Sequence, residues 1–109
     1  MAGVTTAFWV SAYRMRLEAA GIGVYLTKRG DPDAGAVLVK IARPDGSATL
    51  WGRAYGEDGR RVWAALAEGP EREVDDAATR QARVDPDLWL IELEDRDGRT
   101  LLDEPGLSE

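Results

Sequence analysis

The stretch Leu88-Trp89-Leu90-Ile91-Glu92-Leu93-Glu94 carries the strongest strand signal in the chain and directly follows the turn residues Asp85-Pro86-Asp87. A short apolar run that passes into alternation of apolar and acidic residues is typical of a β-strand when turn residues bound it. Arg96-Asp97-Gly98 supplies the turn at its other end. We therefore predict a strand over Leu88–Glu94 as the last regular element of the fold.

Two helices are predicted, one at the start of the chain and one just before that strand. Thr5 or Thr6 can N-cap a helix over roughly Ala7–Ala20, which ends at Gly21. Its apolar side chains spread over more than half of the circumference, so we expect this helix to be covered on two sides. The polar segment Glu73–Val84 has acidic residues in its first turn and arginines in its last, as the helix macrodipole favours.

Segments of strand character, separated by turn signals, lie between the helices: Ile22–Lys28, Ala36–Ile41, Thr49–Tyr55 and Arg61–Leu66. The order α-β-β-β-β-α-β predicts an α+β fold, with an antiparallel sheet of four to five strands and both helices on one face. The length predicts a single domain over residues 1–109, with an ordered core over about 6–97. We expect residues 98–109 to form an extra strand or a flexible tail.

Alternation along the strands predicts two different sheet faces. One face should hold the main core and carries Val24, Leu26, Val37, Val39, Ile41, Leu50, Val62, Trp89, Ile91 and Leu93. The opposite face is aromatic and mixed rather than plainly polar, and it carries Tyr25, Leu38, Lys40, Trp51, Arg53, Tyr55, Trp63, Leu90 and Glu92. Such a surface is typical of a contact with another protein, or of a second small core.

The composition excludes several kinds of chemistry. The 109 residues include four tryptophans but no histidine and no cysteine, which removes the Ser-His-Asp triad, thiolate nucleophiles and Cys/His zinc sites. We expect no cofactor and no bound metal. The formal net charge of −6 argues against nucleic acid and anionic membranes as partners. The start Met1-Ala2-Gly3-Val4 does not read as a signal peptide, so we expect a cytoplasmic protein.

One acidic stretch partly matches a calcium loop, with Asp95, Asp97, Gly98 and Glu104 in register. The first ligand of the pattern is absent and a strand precedes the loop, so an Asp-Gly turn with solvated carboxylates is the favoured interpretation.

Two blocks of sequence resemble a known family. They are Phe8-Trp9-Val10-Ser11-Ala12 with Arg14 and Arg16, and the run from Arg83 to Asp95 that contains Asp85-Pro86-Asp87. Together they resemble the small bacterial proteins grouped as domain-of-unknown-function family number 1491, over about Thr6–Asp97. The resemblance implies a small bacterial protein without an established activity, and it assigns no catalytic or binding residue.

Two hypotheses about function remain open. The first is a non-enzymatic protein-interaction module that forms a homodimer or binds a partner protein through Trp9, Tyr13, Arg16, Trp51, Arg53, Tyr55 and Trp63. The alternative is a small-molecule or metal-binding protein, or a minor enzyme, that uses Arg16, Arg53, Asp85, Asp87 and Glu92. Arg16 falls within the apolar arc of the first helix, where a guanidinium needs a partner. We expect an ion pair from Arg16 to Asp85, Asp87 or Glu92.

Overall fold

A computed structural model describes residues 4–108 and confirms the α+β class and the predicted order of elements. The elements are α1 Thr6–Ala19, β1 Gly23–Lys28, β2 Val37–Ala42, β3 Ser47–Tyr55, β4 Arg61–Pro70, α2 Glu71–Val84 and β5 Trp89–Glu94. All five strands join one sheet in the order β1-β5-β2-β3-β4, which places β1 and β4 at its edges. Within residues 4–108, neither helix is long and apolar enough to cross a membrane.

β4 and α2 are both longer than predicted and meet without a loop. The sequence predicts a strand that ends at Leu66 and a helix that begins at Glu73. In the structure β4 continues to Pro70, which also takes the N-cap position of α2. Proline is tolerated at this junction because the sheet edge and the first turn of a helix each leave a backbone N–H without a partner. The chain therefore passes directly from strand to helix.

The sheet is mixed rather than wholly antiparallel. β5 pairs antiparallel with β1 but parallel with β2, whereas β2, β3 and β4 follow one another as antiparallel neighbours. The physical reason is the crossover through α2, which carries the chain from the β4 edge back to the middle of the sheet. The strongest predicted strand, β5, thus becomes a central strand between β1 and β2.

The two helices lie on opposite faces of the sheet, not on one face as predicted. Val39 and Ile41 of β2 belong to the core cluster that contains Trp9 and Leu17 of α1. Leu38, their neighbour in β2, belongs to the second cluster, with residues of α2 such as Val74 and Ala78. Each face of the sheet is therefore covered by one helix, and both faces of β2 are buried.

The side chains of β3, and those of Val62 and Trp63 in β4, point to the faces opposite those predicted. Trp51 pairs with Val39, and Leu50 pairs with Lys40. Trp51 therefore lies on the α1 side, with Arg53 and Trp63, while Leu50 lies in the cluster under α2. Five residues, 43–47, separate the paired residues Ala42 and Ala48, and this turn sets the register. A further irregularity leaves Leu66 of β4 as a bulge between the residues paired with Leu50 and Trp51.

The C-terminal segment, residues 95–108, packs against α1 and the sheet. No strand forms within its described residues, which adopt turns and irregular structure. Leu102 and Leu107 are nevertheless buried, and both belong to the same cluster as Trp9, Tyr13 and Leu17 of α1. This segment supplies the second cover that the broad apolar surface of α1 requires.

Candidate functional site

Three aromatic side chains form a continuous stack on the α1 side of the sheet. Trp9 and Tyr13 lie one helical turn apart, and their ring centroids are separated by 4.9 Å. The Trp9 ring also approaches the Trp63 ring of β4, at 5.8 Å between centroids. Both separations are typical of favourable aromatic pairs. Because Trp9 and Tyr13 are buried, the stack anchors α1 to the sheet.

Arg53 extends this stack from the neighbouring strand. It lies opposite Trp63 in the β3–β4 register, and its guanidinium carbon is 4.4 Å from the Trp63 ring centroid. This is a cation–π contact. Its two terminal nitrogens are 3.5 Å from the carbonyl oxygens of Ser108 and Leu107. The C-terminal segment therefore covers part of the tryptophan–arginine face, which we define as Trp9, Trp51, Arg53 and Trp63.

Tyr13 and Arg16 also contact the C-terminal segment. The Tyr13 hydroxyl donates a 2.7 Å hydrogen bond to the carbonyl oxygen of Thr100. Burial raises the pKa of Tyr13 far above its ordinary value of 10.0. Arg16 donates to Glu104 Oε1 at 2.8 Å and to the carbonyl oxygen of Pro105 at 3.1 Å. Both side chains thus serve to hold the segment on α1.

The partner of Arg16 differs from the one predicted. The sequence favours Asp85, Asp87 or Glu92, whereas the structure pairs Arg16 with Glu104. Packing of the C-terminal segment on α1 brings Glu104 there across 88 positions of sequence. The helix and strand periodicity of the sequence cannot predict a contact between residues so far apart in the chain.

Trp51 and Tyr55 complete the predicted contact residues. Trp51 is partly buried against the α1 core, and its indole Nε1 is buried without a hydrogen-bond acceptor among residues 4–108. Tyr55, at the end of β3, is 78 % exposed. Six of the seven predicted residues therefore lie around α1 and the tryptophan–arginine face, while Tyr55 projects from the end of β3.

The carboxylates of the alternative hypothesis do not gather around the two arginines. Asp85 Oδ1 accepts a 3.1 Å hydrogen bond from the backbone N–H of Asp87, which forms a turn before β5. Glu92 lies on the α2 side of the sheet, where it pairs with Lys40. Arg16 and Arg53 both contact the C-terminal segment on the α1 side. The predicted set is therefore divided between different parts of the molecule.

Two carboxylates of the partial calcium pattern, Asp95 and Glu104, form ion pairs with arginines. Arg99 Nε and Nη2 donate to the two carboxylate oxygens of Asp95, each at 2.9 Å. Hydrogen bonds from Arg99 lower the pKa of Asp95 from its ordinary value of 3.8 to about 2. Glu104 pairs with Arg16. The described part of the chain contains no group of three or more Asp, Glu, His or Cys residues arranged to hold a metal ion.

A buried lysine forms the main ionic cluster on the other face of the sheet. The Nζ atom of Lys40 lies 2.8 Å from Glu71, 2.5 Å from Asp75 and 3.1 Å from Glu92. Its side chain is only 5 % exposed, whereas the carboxylates are a third to a half exposed. Burial would lower the pKa of Lys40, but hydrogen bonds to Asp75, Glu71 and Glu92 outweigh it and raise the pKa above 10.5.

This cluster joins α2 to β2 and β5 and keeps the lysine protonated. A catalytic amine needs the opposite shift, toward a neutral nitrogen at working pH. The cluster is therefore a structural ion network, and sequence reasoning missed it. The available signal was a single lysine between Val39 and Ile41 in an otherwise apolar strand.

A small pocket opens beside the tryptophan–arginine face, between the start of α1, the last residues of β3 and the first residues of β4. Its volume is about 120 Å³, and its lining includes Thr6, Trp9, Arg53, Arg61 and Trp63. Arg61 was not among the predicted site residues. It enters the site because it begins β4, opposite Tyr55 and next to the pairing of Arg53 with Trp63.

The fold is that of a family of small α+β proteins. The family model described as "Protein of unknown function (DUF1491)" matches residues 4–103, and the chain belongs to this family. The resemblance drawn from the sequence is thereby confirmed. No curated protein matches the chain.

Solved structures of relatives share the fold over nearly the whole chain. A crystal structure of a DUF1491 family protein from Caulobacter crescentus CB15 is 43 % identical, with a TM-score of 0.84 over 94 % of this chain and 97 % of that one. An NMR structure of a DUF1491 family protein from the same organism is 42 % identical, with a TM-score of 0.82 over 94 % of each chain. Protein Atu0922 from A. tumefaciens is 29 % identical, with a TM-score of 0.74 over 90 % of this chain and 91 % of that one.

Proposed function

We propose that this protein is a cytoplasmic protein-interaction module that self-associates through the edge strand β4 and acts by binding rather than by catalysis. The observation that carries the proposal is the position of β4, a ten-residue strand that pairs with β3 on one side only in the described sheet. An edge strand presents backbone N–H and C=O groups that another strand can pair with.

The side chains of β4 favour such a contact. Val62 is 40 % exposed and Leu66 is 43 % exposed, so apolar surface accompanies the open edge. The strand contains no lysine, and its proline is confined to the last position, Pro70. Lysine and proline within an edge strand are common protections against pairing with another chain. β4 lacks both protections over its first nine residues.

The charges of β4 are complementary to those of a second copy. Arg61 begins the strand and Arg60 directly precedes it, whereas Glu68 lies near its end. Antiparallel pairing of two β4 strands brings the arginine end of one copy to the glutamate end of the other, as a two-fold axis requires. The bulge at Leu66 bends the strand and opposes a long ladder. The proposed contact is therefore short, and the dimer dissociates on dilution.

The aromatic residues first expected at the contact surface do not carry this proposal. The C-terminal segment covers part of that face, and Trp63 Nε1 donates to the Leu107 carbonyl oxygen. The open edge of β4 is adjacent to the same face. In this proposal it is the contact surface, in place of the aromatic residues of the sequence-based hypothesis.

Sedimentation velocity over a range of protein concentrations tests the proposal. We expect a monomer–dimer equilibrium in the unaltered protein, and a shift to monomer in Val62→Lys and in Glu68→Arg. Val84→Lys is the matched control, because Val84 is an exposed valine at the end of α2, away from β4. A monomer at every attainable concentration, or equal dimerisation by Val62→Lys and Val84→Lys, would contradict the proposal.

A further inference from the structure

A second pocket opens between β3, the start of β4 and the C-terminal segment. Its volume is about 400 Å³, within the roughly 300–1,000 Å³ typical of pockets that hold small organic molecules. Most of its wall is apolar, and the lining includes Trp51, Val62, Trp63, Leu102, Asp103 and Ser108. The size and the wall are therefore those of a site for a small molecule with an apolar body.

Trp51 differs from the other tryptophans in the contacts of its ring. The rings of Trp9 and Trp63 contact each other, and the Trp89 ring lies under the guanidinium of Arg29. In the described part of the chain, no aromatic ring or cation is stacked on the Trp51 ring. Trp51 is partly exposed and lines the pocket. Its ring is thus available to a bound molecule, whereas its Nε1 is buried and is not a donor to the site.

Asp103 is the only charged side chain in the wall that the described residues form. It is exposed, and its carboxylate has no ion pair or hydrogen bond within residues 4–108, whereas its neighbour Glu104 is paired with Arg16. The chain as a whole has a net charge of −6, which attracts cations over a longer range. The charge at the pocket therefore favours a positively charged molecule.

Arg53 lies close to this pocket without forming part of its wall. It is stacked on Trp63, and its terminal nitrogens face the carbonyl oxygens of Leu107 and Ser108. No arginine or lysine of the described chain lines the pocket. The charge that a bound molecule meets at the wall is thus the negative charge of Asp103.

We infer that this pocket binds a small organic cation, in which an ammonium group is joined to an apolar body. The apolar body lies against Trp51 and Leu102, and the ammonium group lies toward Asp103 at the rim. Tryptophan is the aromatic side chain that attracts cations most strongly, and a carboxylate beside it adds a direct charge interaction. The inference does not rest on the proposed pairing of β4, although Val62 belongs to both the pocket and that strand.

Heteronuclear NMR of the full chain tests the site through the indole Nε1–H signals of its four tryptophans. The probes are 2-phenylethylamine, protonated at pH 7, and 2-phenylethanol, which has the same apolar body without the charge; sodium chloride holds the ionic strength constant. We expect saturable shifts at Trp51 and Trp63, and smaller ones at Trp89, which does not line the pocket. The amine should bind at least about fivefold more tightly than the alcohol. Methylammonium, which lacks the apolar body, should not saturate over the same concentrations.

Two aspartate variants separate a direct contact from the overall charge. Asp103→Asn should weaken the binding of the amine by about two- to fivefold, the range of an exposed ion pair, and leave that of the alcohol unchanged. Asp76→Asn removes the same charge from an exposed position on α2, on the other face of the sheet, and should leave both affinities unchanged. Shifts that do not saturate, equal affinities for amine and alcohol, or equal amine affinities in the two variants would overturn the inference.

The titration is repeated in Glu68→Arg, which alters β4 outside the pocket. We expect the ratio of amine to alcohol affinity to remain that of the unaltered protein, whether or not the variant has lost self-association. Retention of this ratio in a protein that sediments only as a monomer would contradict the pairing of β4 and leave the cation site intact. Loss of the ratio in Glu68→Arg would overturn the inference that the pocket of a single copy is sufficient.

Discussion

The indole Nε1 of Trp63 donates a 2.9 Å hydrogen bond to the backbone carbonyl oxygen of Leu107. This bond connects β4 to the C-terminal segment across 44 positions of sequence. The Leu107 side chain is 1 % exposed and belongs to the same core cluster as Trp9 and Tyr13. Residues close to the end of the chain therefore complete the core on the α1 side.

Leu107→Ala should strongly destabilise the protein. Truncation of a fully buried leucine removes apolar contacts and leaves a cavity, which costs about 2–5 kcal/mol of the free energy of unfolding. Urea unfolding monitored by tryptophan fluorescence measures the change. Val84→Ala serves as the control, because Val84 is 84 % exposed and its truncation should change the free energy of unfolding by less than about 0.5 kcal/mol. Similar midpoints for the two variants would show that the C-terminal segment contributes little to the core.

The elements themselves could be predicted because each has a local signal. Thr5 accepts a hydrogen bond from the backbone N–H of Phe8 as the N-cap of α1, and β5 begins within a residue of its predicted start. The sheet face on which each side chain lies was predicted less successfully. The turn over residues 43–47 decides whether Leu50 or Trp51 faces α1, and a shift of one residue reverses the outcome.

Contacts between distant segments also could not be predicted from local sequence patterns. Arg16 was correctly expected to need a partner, but Glu104 lies in a segment without helix or strand periodicity. No local pattern distinguishes Arg61 from the other arginines, and it lines the pocket because the strand register places it beside Arg53 and Trp63. The sequence thus indicated the kinds of side chains at the site, and the tertiary packing selected which of them meet.

Replacement of Lys40 by methionine should lower stability and alter its dependence on alkaline pH. Loss of the buried cation leaves Glu71, Asp75 and Glu92 without their common partner, which we expect to cost about 1–3 kcal/mol of the free energy of unfolding near neutral pH. A lysine whose pKa is raised on folding stabilises the protein fully below its unfolded value of 10.5 and less as the pH rises through the folded pKa.

Tyr13 and a control variant also bear on the comparison of stability at alkaline pH. Tyr13 also has a raised pKa, through burial, so its contribution likewise declines above 10.0 and remains in the variant. We therefore expect a shallower alkaline decrease in Lys40→Met, measured by urea unfolding at a series of pH values. Lys28→Met is the control, since Lys28 Nζ contacts the carbonyl oxygens of Pro86 and Leu88 rather than carboxylates. Parallel alkaline curves for Lys40→Met and the unaltered protein would contradict the role assigned to the cluster.

Asp95 should make the free energy of unfolding depend on acidic pH, so that its stabilisation is lost as the pH falls, whereas that of Lys40 is lost as the pH rises. Its side chain is 6 % exposed, and Arg99 donates to both carboxylate oxygens as well as through its backbone N–H. Because the pKa is lowered from 3.8 to about 2 on folding, the stabilisation is complete above the unfolded value and is lost as the pH falls through about 2.

The free energy of unfolding, measured from pH 5 downward, should therefore decrease less in Asp95→Asn than in the unaltered protein over about pH 4 to 2. Asp97→Asn, at an exposed position of the same turn, should retain the decrease, and its loss in both variants would assign the effect to the turn rather than to the Asp95–Arg99 pair.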